Sequence, residues 1–170
     1  MPSRIERIAE KTLAACGIGK PPVDLRKITR HLGLAVQKDS LPPEISGFFY
    51  RKGTHNIIGV NKKHVPARRR FTVAHEIGHY ILGHAHDEVH VDRNFGFIFR
   101  DERSSRGVSK EEIEANAFAA ALLMPAKFLM KDLSTNAFDL VDSAVVSRLA
   151  HRYGVSVQAL SIRLGALGRS

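Results

Sequence analysis

A single cysteine, Cys16, stands in the 170 residues, so no disulfide framework is available and the fold is not expected to depend on oxidation. Long apolar runs are also missing. The longest apolar-rich stretch, Ala115 to Pro125, is too short for a membrane span and contains Asn116. The opening residues, Met-Pro-Ser-Arg-Ile-Glu-Arg, lack the apolar core of an export signal, which makes the cytoplasm the expected location. No internal repeat, low-complexity linker or biased tract interrupts the chain. What remains is an ordinary composition, 44% apolar and 25% charged, on a length that suits one domain with a real core.

Charge is the one unusual bulk property. Lys and Arg number 26 against 17 Asp and Glu, a net charge of +9. Such a balance fits a nucleic-acid partner, an acidic protein partner or a plain solvated surface. Most of the cations are scattered; Arg68, Arg69 and Arg70 form one compact cluster.

Local signals divide the chain into short elements. Residues 3–16 read as an amphipathic helix, with Ser3 as cap, Ile5, Ile8 and Leu13 on one face, and Gly17 as stop. Asp24 opens a second helix that runs through Leu32. Leu34 to Gln37 reads as a strand, and Ile45 to Tyr50 with Asn56 to Asn61 reads as a hairpin, because both runs are rich in β-branched and aromatic residues. Pro66 starts a third helix that reaches about Leu82 and stops at Gly83. Residues 84–108 are less regular, with an aromatic run at Phe95–Phe99 that suits a strand or a flap. Ser109 and Glu112 form a capping-box pattern before an Ala-rich helix that ends at Pro125. Two further helices are expected near 137–153 and 156–167. The sum is an α+β fold, helices around a small sheet.

The chemistry concentrates in His75-Glu76-Ile77-Gly78-His79. Two histidines four apart on a helix project from one face, so both imidazoles reach one zinc ion. The intervening glutamate stands beside the metal, placed to take a proton from a water that the metal has acidified. Phe71, Ala74, Ile77 and Ile81 recur at helical spacing and bury one flank of this helix.

Catalytic zinc takes three protein ligands and keeps one position open. A third histidine six residues beyond His79 is ruled out, since Ala85 stands there; His84 and His86 are in the wrong register and read as surface residues. Cys16 lies far upstream. The Ala-rich helix offers Glu111, Glu112 and Glu114, and its small side chains permit a close approach to the His-Glu helix. Glu114 shares a face with Phe118 and Ala121 and is the expected ligand. Glu112 is assigned to the cap, and Glu111 stays as the reserve. The same acids also suit a helix N-terminus without any metal. Tyr80, His84 and His90 are candidate donors for a developing oxyanion. The strand Ile57 to Val60 is a candidate for pairing with an extended substrate, or else an ordinary central strand.

Arg70 to His79, then Glu114 to Ala120 and Leu122-Leu123-Met124-Pro125, together resemble the ImmA/IrrE family of bacterial and phage metallopeptidases. Ile45-Ser46-Gly47-Phe48 and Ile58-Gly59-Val60-Asn61 are similar to that family's strands before the active helix. The likeness covers about residues 20–130. It implies a zincin-like fold with zinc (Zn2+) on two histidines and a glutamate, carried over as His75, His79 and Glu114, with Glu76 as general base. It also implies an intracellular endopeptidase whose protein substrate is a helix-turn-helix repressor, cleaved to relieve repression of stress or mobile-element genes. Residues 1–130 are then the peptidase domain, and 131–170 are C-terminal helices packed on it or continuous with it.

Those last helices carry a rival reading. Ala144 to Ser156 followed by Val157 to Leu167 has the form of a helix-turn-helix, with Arg148, Arg152, Arg163 and Arg169 adding positive charge. A DNA-binding regulator with a structural or inactive zinc site is therefore the alternative. Against it, Ser156, Gln158 and Ser161 are unremarkable as base readers.

Overall fold

The computed structural model describes residues 3–84, 89–92, 109–135 and 143–168. The aromatic run at 95–99, His86, Arg169 and the expected start of a helix at 137 lie outside the described residues.

Helix α1, Arg4–Ala15, opens with a complete capping box: Ser3 accepts from the Glu6 N–H, and the Glu6 carboxylate accepts from the Ser3 N–H. Helix α2, Leu25–His31, is capped by Asp24, which accepts from the Arg26 and Lys27 N–H groups. Four strands follow the expected pattern and add one: β1 Leu34–Asp39, β2 Gly47–Lys52, β3 His55–Asn61 and β4 Val89–Asp92. Sheet order is β1-β3-β2-β4, with β1 parallel to β3 and the other pairs antiparallel. The strand from Ile57 to Val60 is therefore internal, hydrogen-bonded on both sides, and has no edge to offer a substrate. Among the described residues the sheet edges are β1 and β4.

Between β3 and β4 runs α3, Pro66–Leu82, with Pro66 at its first turn and Gly83 closing it at φ 76°, the left-handed region that glycine enters without cost. Helix α4, Lys110–Leu123, lies against α3. They come close at Gly78, where a Cβ would stand 3.1 Å from the Ala115 carbonyl oxygen and 3.2 Å from its Cα. Glycine at 78 and alanine at 115 are what let two helices bearing the site come this near.

Pro125, expected to end the Ala-rich helix, also starts another. Its carbonyl accepts from the Phe128 and Leu129 N–H groups, and α5, Ala126–Thr135, follows at once. Within Lys110–Ser134 an 18-residue window is apolar enough by length and composition to cross a membrane, and half of that window is buried inside the fold, as in a core helix. Helices α6, Ser143–Tyr153, and α7, Val157–Leu167, complete the chain, with Ser156 capping α7.

One apolar cluster joins these elements. Phe49 and Ile58 from the sheet, Ala74 and Ile77 from α3, Phe118 and Leu122 from α4, and Tyr153 and Leu160 from the last helices are all fully buried. Arg163 ties α7 to the front of the chain: it donates to Glu6 Oε1 at 2.7 Å and to the Met124 carbonyl at 3.1 Å. Tyr153 donates its hydroxyl to Asp132 at 2.9 Å, and burial together with that bond holds the phenol well above its usual range. Replacing Phe118 by Ala should empty the seam between α3 and α4. Urea denaturation is expected to show a loss of about 3–5 kcal/mol, the usual cost of truncating a buried phenylalanine.

Candidate metal centre

The middle of α3 is polar where a helix inside a core is ordinarily apolar. His75 and Glu76 are fully buried and His79 is 1% exposed. Burying three such groups in sequence is costly unless each has a partner or a metal to hold. The histidines, one turn apart, stack edge to face with ring centroids 4.6 Å apart, and their Nε2 atoms lie 3.0 Å from each other.

A carboxylate completes the cluster, and it belongs to Glu112. Its oxygens lie 3.4 Å from His75 Nε2 and 3.2 Å from His79 Nε2. His75, His79 and Glu112 are the group of ligand-type side chains that converges on one point among the described residues. The expected acid, Glu114, is not part of this group. Ser109 does cap α4, accepting from the Glu112 backbone N–H at 3.2 Å, but the cap needs only that amide and leaves the side chain able to reach the histidines. Glu114 goes elsewhere: its carboxylate lies 3.1 Å from His84 Nε2 and 3.9 Å from Lys110 Nζ. Both acids are equally accessible, 23% and 22%, so reach rather than burial separates them. Glu111 is exposed on the first turn of α4.

Asn116, one helical turn beyond Glu112, is the residue that sequence reasoning passed over. His75 Nδ1 lies 2.6 Å from the Asn116 side-chain oxygen. An amide oxygen only accepts, so Nδ1 carries the hydrogen and Nε2 presents its lone pair to the cluster. That is the tautomer and orientation a metal requires, fixed by an outer partner as in other histidine sites. Two imidazole nitrogens and one carboxylate are also the donor set that zinc takes in hydrolytic sites. The residues present therefore fit the ion. The signal was in the sequence: an asparagine in an alanine-rich helix, four residues after a glutamate, needs a polar partner.

His84, read as a surface residue, is 8% exposed at its side chain and stands edge-on to His79 with centroids 5.3 Å apart. It buttresses the outer side of the cluster, held by Glu114. Tyr80 packs instead against Phe49 at 5.8 Å, with the Arg51 guanidinium over its ring. His90 lies on β4 opposite Phe49, its side chain outside the described residues. Beside Glu76, Gly47 leaves the space clear: a Cβ there would sit 3.8 Å from Glu76 Oε1 and 2.5 Å from the Thr72 methyl. Two of the arginines that favoured DNA binding are occupied within the fold, Arg163 as described and Arg152 in a two-pronged pair with Asp132 at 3.0 and 3.1 Å.

Comparison with known proteins adds the following. The family model described as Peptidase_M78, IrrE N-terminal-like domain, matches residues 29–165. Immunity region protein 2 of Bacillus phage phi105 is 30% identical over 129 residues, which cover 74% of this chain and 75% of the phage protein. The radiation response metalloprotease IrrE of Deinococcus deserti is 39% identical over 88 residues, 48% of this chain and 26% of that protein. Among solved structures, a Mycobacterium tuberculosis transcriptional regulator superposes with a TM-score of 0.62 at 21% identity, over 94% of this chain and 46% of that one. The chain thus spans most of the phage relative but a minor part of the other two, and the last likeness concerns the fold alone.

Proposed function

The chain belongs to the ImmA/IrrE (Peptidase_M78) family of metallopeptidases, and from that premise we propose that it is a zinc-dependent endopeptidase of the cytoplasm, zincin-like in fold, acting on a regulatory protein. The observation that carries the reading is the convergence of His75, His79 and Glu112 beside a buried Glu76 on the same helix. His75, His79 and Glu112 would hold the ion. When bound, zinc supplies a Lewis acid that polarises the scissile carbonyl and makes water acidic enough to lose a proton near neutral pH.

The chain's own residues do the rest. Glu76 takes the proton of the attacking water and returns it to the leaving amine, so one carboxylate serves both halves of the reaction. Its burial keeps bulk water from competing for that proton. Asn116 holds His75 in the required tautomer. Replacing Asn116 by Ala should weaken zinc binding by about 10–100-fold, the usual loss when an outer partner of a metal-bound histidine is removed, measured by competition with a chromophoric chelator.

A helix-turn-helix repressor is the proposed substrate. The name of the phage relative, an immunity region protein, and that of the Deinococcus relative, a radiation response metalloprotease, are in keeping with it. The alternative, a DNA-binding regulator, draws on fewer arginines once Arg152 and Arg163 are spent on Asp132 and Glu6. The test is to incubate the zinc-loaded protein with helix-turn-helix repressors from the same genome and identify fragments by mass spectrometry. One discrete cleavage, absent with Glu76→Gln, supports the reading. No cleavage of any repressor, with salt-sensitive DNA binding lost in Arg148→Ala, would replace it by the alternative.

A further inference from the structure

The Arg cluster at the start of α3 has no part in the metal centre, and it borders a groove that shares no residue with that centre. The groove, of about 1020 Å³, lies between α2, the edge strand β1 and the first half of α3. Its floor is apolar: the core residues Leu34, Val60 and Val73 lie at its base, and Val36, 43% exposed, presents an apolar side chain directly to it. Five cations line it, Arg26, Arg30, Lys38, Arg69 and Arg70, against one carboxylate, Asp24. Asp24 is already spent on capping α2.

The cations are of two kinds. Arg69 and Arg70 are pinned by backbone carbonyls, Arg69 to Lys62 and His64 at 3.1 and 2.9 Å, and Arg70 to Val23 at 2.8 Å. These bonds orient the guanidinium groups; Arg70 also feels the Asp24 carboxylate, so the uncompensated charge lies with the other cations of the groove. Arg26, Arg30 and Lys38 are exposed and have no carboxylate partner among the described residues. An apolar floor rimmed by uncompensated positive charge suits a chain that alternates carboxylates with apolar side chains. Nucleic acid fits less well: no aromatic side chain is present in the lining for a base to stack on, and phosphates gain nothing from four aliphatic side chains.

We propose that this groove binds an acidic, partly apolar segment of a protein partner. Binding here is separate from cleavage and stands whether or not the metal centre is a peptidase. The probe is a short fluorescein-labelled peptide built from glutamate and leucine, titrated with the full chain and followed by anisotropy. Beside it run the same peptide with glutamine for glutamate and a labelled single-stranded DNA of similar length. The acidic peptide should bind, more weakly as salt rises, and Arg26→Glu with Arg30→Glu should weaken it by about tenfold or more, as reversal of rim charges does. Val36→Asp, which alters the floor rather than the rim, should also weaken it. Reversing Lys127 and Arg148, two exposed cations on other helices, changes the net charge equally and should leave binding in place.

Three results would overturn the proposal: no binding of the acidic peptide, equal loss in the Lys127 and Arg148 variant, which means diffuse attraction, or tighter binding of DNA that is lost with Arg26 and Arg30. Circular dichroism of each variant separates lost binding from lost fold.

Discussion

Replacing Glu112 by Ala is expected to strip the metal from the purified protein, while Glu114→Ala and Glu111→Ala keep it. Elemental analysis of the wild type should find near one zinc per chain. Glu112 is the acid within 3.2–3.4 Å of both imidazoles, and its loss should cost more than the roughly 10–100-fold seen when only an outer partner is removed. Among the described residues Glu114 reaches the cluster through His84, so its variant should show at most a modest loss of affinity. Glu112→Ala keeps the cap of α4 intact, because Ser109 bonds the backbone amide and not the side chain. A metal-free Glu112→Ala protein that denatures normally therefore reports on ligation rather than on folding. Zinc retained in Glu112→Ala and lost in Glu114→Ala would return the assignment to Glu114.

Glu76→Gln should have the opposite signature: zinc bound at the parental level and cleavage slowed by about 10²–10⁴, the contribution of a well-placed general base. Glutamine matches glutamate in volume, so a fully buried position beside Gly47 and Thr72 keeps its packing. What it loses is the ability to accept a proton. His75→Ala is the companion variant and should lose both metal and cleavage. The pair separates the two roles that neighbouring residues on α3 are assigned. Cleavage by Glu76→Gln at the parental rate would show that another group deprotonates the water.

Much of the site was legible because it is local. A four-residue spacing on a helix places two imidazoles on one face whatever the rest of the chain does, and Pro66 and Gly83 mark where that helix begins and ends. The caps at Ser3 and Asp24 and the hairpin of β2 and β3 are equally local, and each was read in place. Elements that depend on a neighbour were harder. Strand β4 is four residues long and exists through its pairing with β2, and α5 begins directly after a proline that reads equally as a stop.

By itself, then, the sequence determined the helix that carries His75, Glu76 and His79 and the family to which it belongs, and it raised the expectation of a carboxylate from the Ala-rich helix. Only the tertiary structure brought one of those carboxylates, that of Glu112, to the two imidazoles. Glu112 and Glu114 are two residues apart, about 200° around the helix axis, and both lie near a helix start, where acids are common. Which of them meets the histidines depends on how α4 is rotated against α3, and that is set at Gly78, where Ala115 comes within 3.2 Å of the place a Cβ would occupy. A contact between residues 37 positions apart leaves no periodic trace in either helix, so it appears only once the two are packed.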